Sequence, residues 1–158
     1  MSDSDELEIE RKYLLKSMPV LPERTGRRTL TIDQGYIPGE RIRERLRRVE
    51  EHGREKWYRT VKLGKGLARQ EFEDETSGEI FLAMWPLTLG KRLRKRRHVI
   101  PESGFNWEID EFLDRPLVLA EVELPAMDTA VTVPDWLTAV LDREVTGELP
   151  YLNSTLAR

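Results

Sequence analysis

The sequence predicts a mainly β protein of the α+β class with few helices. Charged residues recur at every second position along six or so segments, and bulky apolar residues occupy many of the positions between them. Successive side chains of a β-strand point to opposite faces, so a period of two is that of a strand. Helical signals are confined to two short segments, which begin near Ser77 and Pro134.

The composition restricts the function classes. Of the 158 residues 35% are charged, yet the net charge is only -3, which argues against bulk electrostatic binding to nucleic acid. The chain has no cysteine, which excludes disulfides, thiolate catalysis and zinc-thiolate sites. Neither a membrane span nor a signal peptide is recognisable. We expect a single cytoplasmic domain over residues 1–158, a monomer or homodimer, without a nucleic-acid or membrane partner.

The first predicted strand is the segment ELEIERKYLL, residues 6–15. It places Glu8, Glu10 and Lys12 on one face, and Ile9 and Tyr13 on the other. A long hairpin should follow at residues 40–64, where the turn-forming EEHGRE separates two alternating runs.

The remaining predicted strands have the same period of two. They are LARQEFEDE (67–75), LRKRRHVI (93–100), FNWEIDEF (105–112) and PLVLAEVEL (116–124). Between them, a helix beginning near Ser77 should be broken by Pro86, and a short helix should have Pro134 in its first turn. Two geometries fit the pattern: a sheet with a solvated charged face, or a closed antiparallel barrel with a charged lumen.

Carboxylates come in pairs two residues apart along four of the strands. The pairs are Glu8 and Glu10, Glu71 and Glu73, Glu108 and Asp110, and Glu121 and Glu123. Two carboxylates about 7 Å apart along a strand can both reach one hard divalent cation. A single charged row is usually a solvated surface, but four such pairs indicate an oxygen-only site suited to Mg²⁺ or Mn²⁺.

Rows of basic residues accompany the carboxylates and require an anion. The candidates are Lys12, Arg41, Arg43, Lys62, Arg69, Lys95 and Arg97. Their number matches a polyphosphate chain better than a single carboxylate. No P-loop spacing, histidine metal site or serine nucleophile elbow is recognisable.

The motifs resemble those of the CYTH family, the triphosphate tunnel metalloenzymes. Glu8, Glu10 and Lys12 form an E-x-E-x-K motif, and the later pieces follow in the family's order. These pieces are QGYI (34–37), RIR (41–43), TVK (60–62), RQEFE (69–73), KRR (95–97), WEID (107–110), LAEVEL (119–124), REVTG (143–147) and YLN (151–153). The resemblance extends over nearly the whole chain. Arg96 and His98 stand where the family's threonine and tyrosine are expected.

The resemblance implies a closed eight-stranded antiparallel β tunnel with a charged lumen and a few flanking helices. It also implies that the protein is a metal-dependent triphosphatase, which hydrolyses a small triphosphate. Two Mg²⁺ or Mn²⁺ ions would be held by Glu8, Glu10, Glu71, Glu73, Asp110, Glu121 and Glu123. The phosphates would be bound by Lys12, Arg41, Arg43, Lys62, Arg69, Lys95 and Arg97, with Lys12, Glu8 and Glu10 as the catalytic residues.

Inorganic triphosphate is the expected substrate, because nothing in the sequence marks a pocket for a base. Thiamine triphosphate, a nucleoside triphosphate or an adenylyl cyclase reaction are the alternatives. A polyphosphate-binding module without catalysis is a further alternative, although it would have no use for the paired carboxylates. The last alternative is a β domain without a binding or catalytic site, whose charged residues only keep it in solution. The sequence leaves open which of the arginines 41, 43, 45 and 47 reach the phosphates.

Overall fold

The computed structural model describes residues 9–64 and 70–158, which form β-strands with a few short helices. The strands are β1 (Ile9–Leu15), β2 (Arg28–Ile37), β3 (Ile42–Glu51), β4 (Arg54–Leu63), β5 (Gln70–Thr76), β6 (Arg92–Glu102), β7 (Phe105–Phe112), β8 (Val118–Leu124) and β9 (Leu141–Glu144). The helices are α1 (Gly78–Met84), α2 (Asp135–Thr138) and α3 (Asn153–Leu156), with 3-10 turns at Trp85–Thr88 and Leu149–Tyr151. The predicted mainly β class is confirmed.

The chain divides into two compact units. The first unit comprises the residues up to Leu30 and Lys95–Leu149, and the second unit comprises Thr31–Arg94 and Pro150–Arg158. The strand order is β6-β7-β8-β1-β9 in the first unit and β5-β4-β3-β2 in the second. Neighbouring strands within each of these two orders are antiparallel.

The predicted count of eight strands is wrong, since the described residues form nine. The period of two in the charged residues does not reveal two of these strands, β2 and β9. The four residues of β9 are too few to show alternation. Strand β9 pairs with β1, with a shift of register between Leu14 and Leu15. The complete strand order begins with β5 and ends with β9, so the predicted closure of the sheet is not confirmed.

The apolar face of the first unit's sheet forms its core. The fully buried side chains include Trp107, Ile109 and Val122, and Leu137 of α2 packs into the same cluster. Burying a side chain of this size contributes about 1.5–3 kcal/mol. The alternation that buries these residues on one face leaves their strand neighbours on the other, polar face.

The hairpin of β3 and β4 in the second unit follows the sequence prediction. Its turn is formed by His52 and Gly53, which have φ angles of 54° and 75°. Two consecutive positive φ angles are typical of the two-residue turns that match the twist of a hairpin. The register then places Arg43 opposite Lys62.

Helix α1 begins where the sequence predicts and lies against β4. The Ser77 hydroxyl accepts a hydrogen bond from the backbone N–H of Ile80 and caps the helix. The next residue must be small, because a Cβ on Gly78 would lie 2.9 Å from the ring of Trp57. Pro86 falls in the 3-10 turn that ends the helical segment. No helix within residues 9–64 and 70–158 is long and apolar enough to cross a membrane.

We predict that Ser77→Ala lowers the free energy of unfolding by about 1 kcal/mol, because the substitution removes the N-cap acceptor. Urea unfolding at pH 7 measures the change. Ser77→Asp, which keeps an acceptor at the cap, should unfold within about 0.5 kcal/mol of the wild type. Equal losses in both variants would contradict the capping role.

Candidate active site

The polar face of the first unit's sheet brings together charged side chains from four strands. These are Glu10 and Lys12 of β1, Lys95 and Arg97 of β6, Glu108 and Asp110 of β7, and Glu121 and Glu123 of β8. The register explains the grouping: Glu121 lies opposite both Lys12 and Glu108, and Asp110 lies opposite Arg97. Residues directly opposite in antiparallel strands share a face. We call this set the first charged cluster.

Asp110 is completely buried in the first charged cluster, with 0% of its surface exposed. Its Oδ2 lies 2.7 Å from Nζ of Lys95, which is also fully buried. Its two oxygens also accept bonds from Nε and Nη2 of Arg97, at 2.8 and 2.9 Å. Burial by itself would raise the pKa of Asp110, but the charges of Lys95 and Arg97 outweigh it and hold the pKa well below its ordinary value.

Arg97 joins Asp110 to two further carboxylates. Its Nη1 lies 2.6 Å from Glu108, and its Nη2 lies 3.9 Å from Glu121. Burial raises the pKa of Glu108, and the nearby charge of Arg97 only partly offsets this. One guanidinium therefore faces three carboxylates, two of which are also paired with Lys95 and Lys12.

The backbone of Lys12 is held in place by the two residues that follow β9. Its backbone N–H donates to the Thr146 hydroxyl at 2.9 Å, and its carbonyl accepts from the N–H of Val145. The Lys12 ammonium lies 3.2 Å from Oε1 of Glu121. This contact is an ion pair without hydrogen-bond geometry, since the buried Oε1 has no hydrogen-bond donor in the described part of the chain.

The carboxylates of the first charged cluster fit the divalent ions that the resemblance implies. Within residues 9–64 and 70–158, no three Asp, Glu or His side chains form a ready-made ion site. However, Oε1 of Glu121 is buried without a hydrogen bond, and burial disfavours the charged form of Glu108. A bound cation would offset both costs, and carboxylate oxygens are the donors that Mg²⁺ and Mn²⁺ prefer.

The polar face of the second unit's sheet carries a separate set of polar side chains, which we call the second polar network. Its members are Gln34 and Tyr36 of β2, Arg45 and Arg47 of β3, Thr60 of β4 and Glu73 of β5. The register places Gln34 opposite Arg47, Tyr36 opposite Arg45, and Thr60 opposite both Arg45 and Glu73. Nη2 of Arg45 donates to Thr60 at 3.1 Å and to Glu73 at 3.0 Å.

The remaining residues predicted for the site differ in their surroundings. Arg41 precedes β3 and is exposed. Arg43 donates from Nη2 to the carbonyl of Gly64 at 3.0 Å. Lys62 lies 3.4 Å from the carboxylate of Glu71. Glu10 and Glu123 lie opposite each other and are exposed. Glu8 and Arg69 lie outside the described residues.

Sequence reasoning left open whether Arg45 and Arg47 belong to the site, and it named Glu108 among the paired carboxylates but not among the metal ligands. It missed Gln34, Tyr36 and Thr60 of the second network. Their common signal is cross-strand register, because each lies directly opposite a polar residue of the neighbouring strand. A count of charges along each strand cannot show this, since it does not say which residues are opposed.

Two curated proteins named inorganic triphosphatase resemble the chain along nearly its whole length. The one from Acetivibrio thermocellus is 35% identical over 156 residues, which cover 96% of this chain and 93% of its own. The one from Nitrosomonas europaea is 35% identical over 159 residues, which cover 95% and 96%. The chain belongs to the CYTH family.

Solved structures agree with the membership of this CYTH chain. A structure described as an inorganic triphosphatase superposes with a TM-score of 0.69 at 30% identity and covers 96% of this chain and 94% of its own. A protein from Pyrococcus horikoshii is 17% identical, with a TM-score of 0.51 over 77% of this chain and 80% of its own. That likeness shows the fold alone. No family model matches the sequence.

We predict that Lys95→Met lowers the free energy of unfolding of the CYTH chain by about 3–5 kcal/mol, because it leaves Asp110 buried with one cation fewer. Urea unfolding at pH 7 is the measurement. Lys91→Met is the matched control: Lys91 is exposed, and its substitution should change stability by less than about 0.5 kcal/mol. Similar stability of the two variants would show that Lys95 does not hold Asp110.

Proposed function

We propose that this protein hydrolyses inorganic triphosphate to pyrophosphate and phosphate, with divalent metal ions as cofactors. Two relatives named inorganic triphosphatase, each covering most of the chain, support the reaction. The observation that carries the proposal is the first charged cluster, where Lys12, Lys95 and Arg97 share one sheet face with several carboxylates. A site for a metal-bound polyphosphate needs basic side chains for the phosphates and carboxylates for the metal ions on one surface.

The basic side chains bind the phosphate oxygens. Lys12, Lys95 and Arg97 belong to the first cluster, while Lys62, Arg45 and Arg47 belong to the second unit. Arg41, Arg43 and Arg69 remain predictions from the sequence. We also propose that residues 1–158 form one domain, and that its sheet closes into the tunnel that is typical of the family. That part of the proposal rests on the resemblance.

The carboxylates hold the metal ions and orient the basic side chains. The proposed ligands are Glu8, Glu10, Glu71, Glu73, Asp110, Glu121 and Glu123, and Glu108 joins them because of its place beside Arg97. Two bound divalent ions would neutralise phosphate charge and lower the pKa of a water molecule. Asp110 also positions the two basic side chains, because it is hydrogen-bonded to both Lys95 and Arg97.

The chain's own residues favour an in-line displacement without a covalent intermediate. Water attacks the terminal phosphorus, the bond to the bridging oxygen breaks, and pyrophosphate leaves. Lys95 is fully buried, so solvent screens its charge little, and Asp110 offsets part of that charge. The remaining charge of the Lys95–Arg97 pair stabilises the negative charge that builds on the leaving group. Arg97 is a permanent cation, because the charges of Asp110, Glu108 and Glu121 raise its pKa although burial lowers it.

We predict that the protein releases phosphate from inorganic triphosphate in the presence of Mg²⁺ or Mn²⁺, and that EDTA abolishes the release. ATP and thiamine triphosphate are the comparison substrates. Release mainly from one of these two would move the assignment to the alternative substrates. Binding of longer polyphosphate without release from any substrate would favour a binding module instead.

We further predict that Arg47→Ala lowers kcat/KM for inorganic triphosphate by tenfold or more, because a phosphate contact is lost. Arg48→Ala is the matched control on the same strand. Arg48 points to the opposite face, where it pairs with Asp33 at 2.7 Å, and its loss should leave kcat/KM within twofold. Steady-state phosphate release measures both variants, and equal effects would remove Arg47 from the site.

A further inference from the structure

Gln34 is an uncharged residue in the middle of the second polar network, and none of the functions above uses it. Its side chain is completely buried, with 0% exposure. Its Oε1 accepts a hydrogen bond from Nε of Arg47 at 2.7 Å, and its Nε2 donates to the Tyr36 hydroxyl at 2.7 Å. The amide therefore links a basic side chain to a phenol.

The chain of contacts continues from Tyr36 to the second arginine. Tyr36 lies directly opposite Arg45 in the register of β2 and β3. Burial raises the pKa of Tyr36 although the charge of Arg45 lowers it, so its hydroxyl is neutral at pH 7. Arg45 in turn donates from Nη2 to Thr60 and Glu73. Gln34 and Tyr36 thus lie between the two arginines: the amide is bonded to Arg47 and to the Tyr36 hydroxyl, and Tyr36 lies opposite Arg45.

The chemistry of an amide suits this position. A guanidinium has five N–H donors in a rigid fork, and Gln34 takes the donor on Nε of Arg47. This bond fixes the plane of the fork and leaves its terminal nitrogens to other acceptors. An amide is neutral, so it can do this without cancelling the charge that a phosphate needs. A carboxylate in the same place would cancel that charge.

We propose that Gln34 is a positioning residue that orients Arg47 and, through Tyr36, Arg45 toward the phosphate chain. The proposal rests on the function proposed above, in which both arginines bind phosphate. Gln34 itself touches no reacting atom. Its contribution is to hold the guanidinium groups in one geometry before the substrate binds, so that less conformational freedom is lost on binding.

The test is a double-mutant cycle with inorganic triphosphate as the substrate. Gln34→Leu should lower kcat/KM by tenfold or more, mainly through KM, because Arg47 loses its orientation. In an Arg47→Ala background the same substitution should lower kcat/KM by less than fivefold, since only Arg45, which Gln34 influences through Tyr36, is left to orient. Equal losses in both backgrounds would overturn the positioning role.

Two further variants separate positioning from damage to the fold. Thr88→Val changes another fully buried polar residue: it removes the hydrogen bond from the Thr88 hydroxyl to the carbonyl of Trp85 at 2.7 Å and the acceptor for Nε of Arg92. It should lower the melting temperature but leave kcat/KM within twofold. Tyr36→Phe removes the partner of the amide with little change of volume, and it should lower kcat/KM two- to fivefold. It keeps the proposal testable if Gln34→Leu does not fold.

The outcomes distinguish this inference from the function on which it rests. Activity in the wild type with additive variants would overturn the positioning role and leave the triphosphatase assignment intact. If the wild type binds triphosphate in calorimetry without hydrolysing it, the cycle is measured on Kd and decides in the same way. Neither hydrolysis nor binding by the wild type would overturn both proposals.

Discussion

The ionised carboxylate of Asp110 is the constraint on which the first unit depends. A carboxylate without exposed surface is costly unless cations and hydrogen bonds hold it, and here Lys95 and Arg97 do so from alternate positions of β6. These ion pairs also help to determine the register of β6 against β7. A slip of one residue would turn Arg96 toward the polar face and Lys95 toward the apolar face. Both the ion cluster and the apolar core would be disrupted, so both disfavour this shifted register.

In the second unit, the charged side chains are held mainly by neutral groups. Arg47 is bound by the Gln34 amide, and Arg45 is bound by the Thr60 hydroxyl and by the half-exposed Glu73. The first cluster is richer in carboxylates, whereas the second network keeps more of its positive charge. Under the proposed function this difference suits metal ions in the former and phosphate oxygens in the latter.

Hydrogen bonds to the backbone also support the site. Thr146 follows the short strand β9, and its hydroxyl accepts a hydrogen bond from the backbone N–H of Lys12. On the neighbouring residues, Arg11 and Glu144 form a bidentate salt bridge. The hydrogen bond from Arg11 lowers the pKa of Glu144 to about 2, so this pair is ionised at pH 7. The lysine that belongs to the E-x-E-x-K motif is thus fixed by residues near the opposite end of the chain.

The sequence by itself determined the mainly β class, the hairpin turn within EEHGRE, the start of a helix near Ser77 and, in the strands it predicted, the face on which each charge lies. These follow from local rules of alternation, turn geometry and capping. Only the tertiary structure decided that β9 pairs with β1, that Glu108 joins Asp110 around Arg97, and that Arg47 meets a buried amide whereas Arg41 is exposed. The reason is that the burial and the partners of a side chain depend on which distant strands are neighbours. A period of two shows only which face an arginine lies on, so it cannot distinguish one arginine of a row from the next.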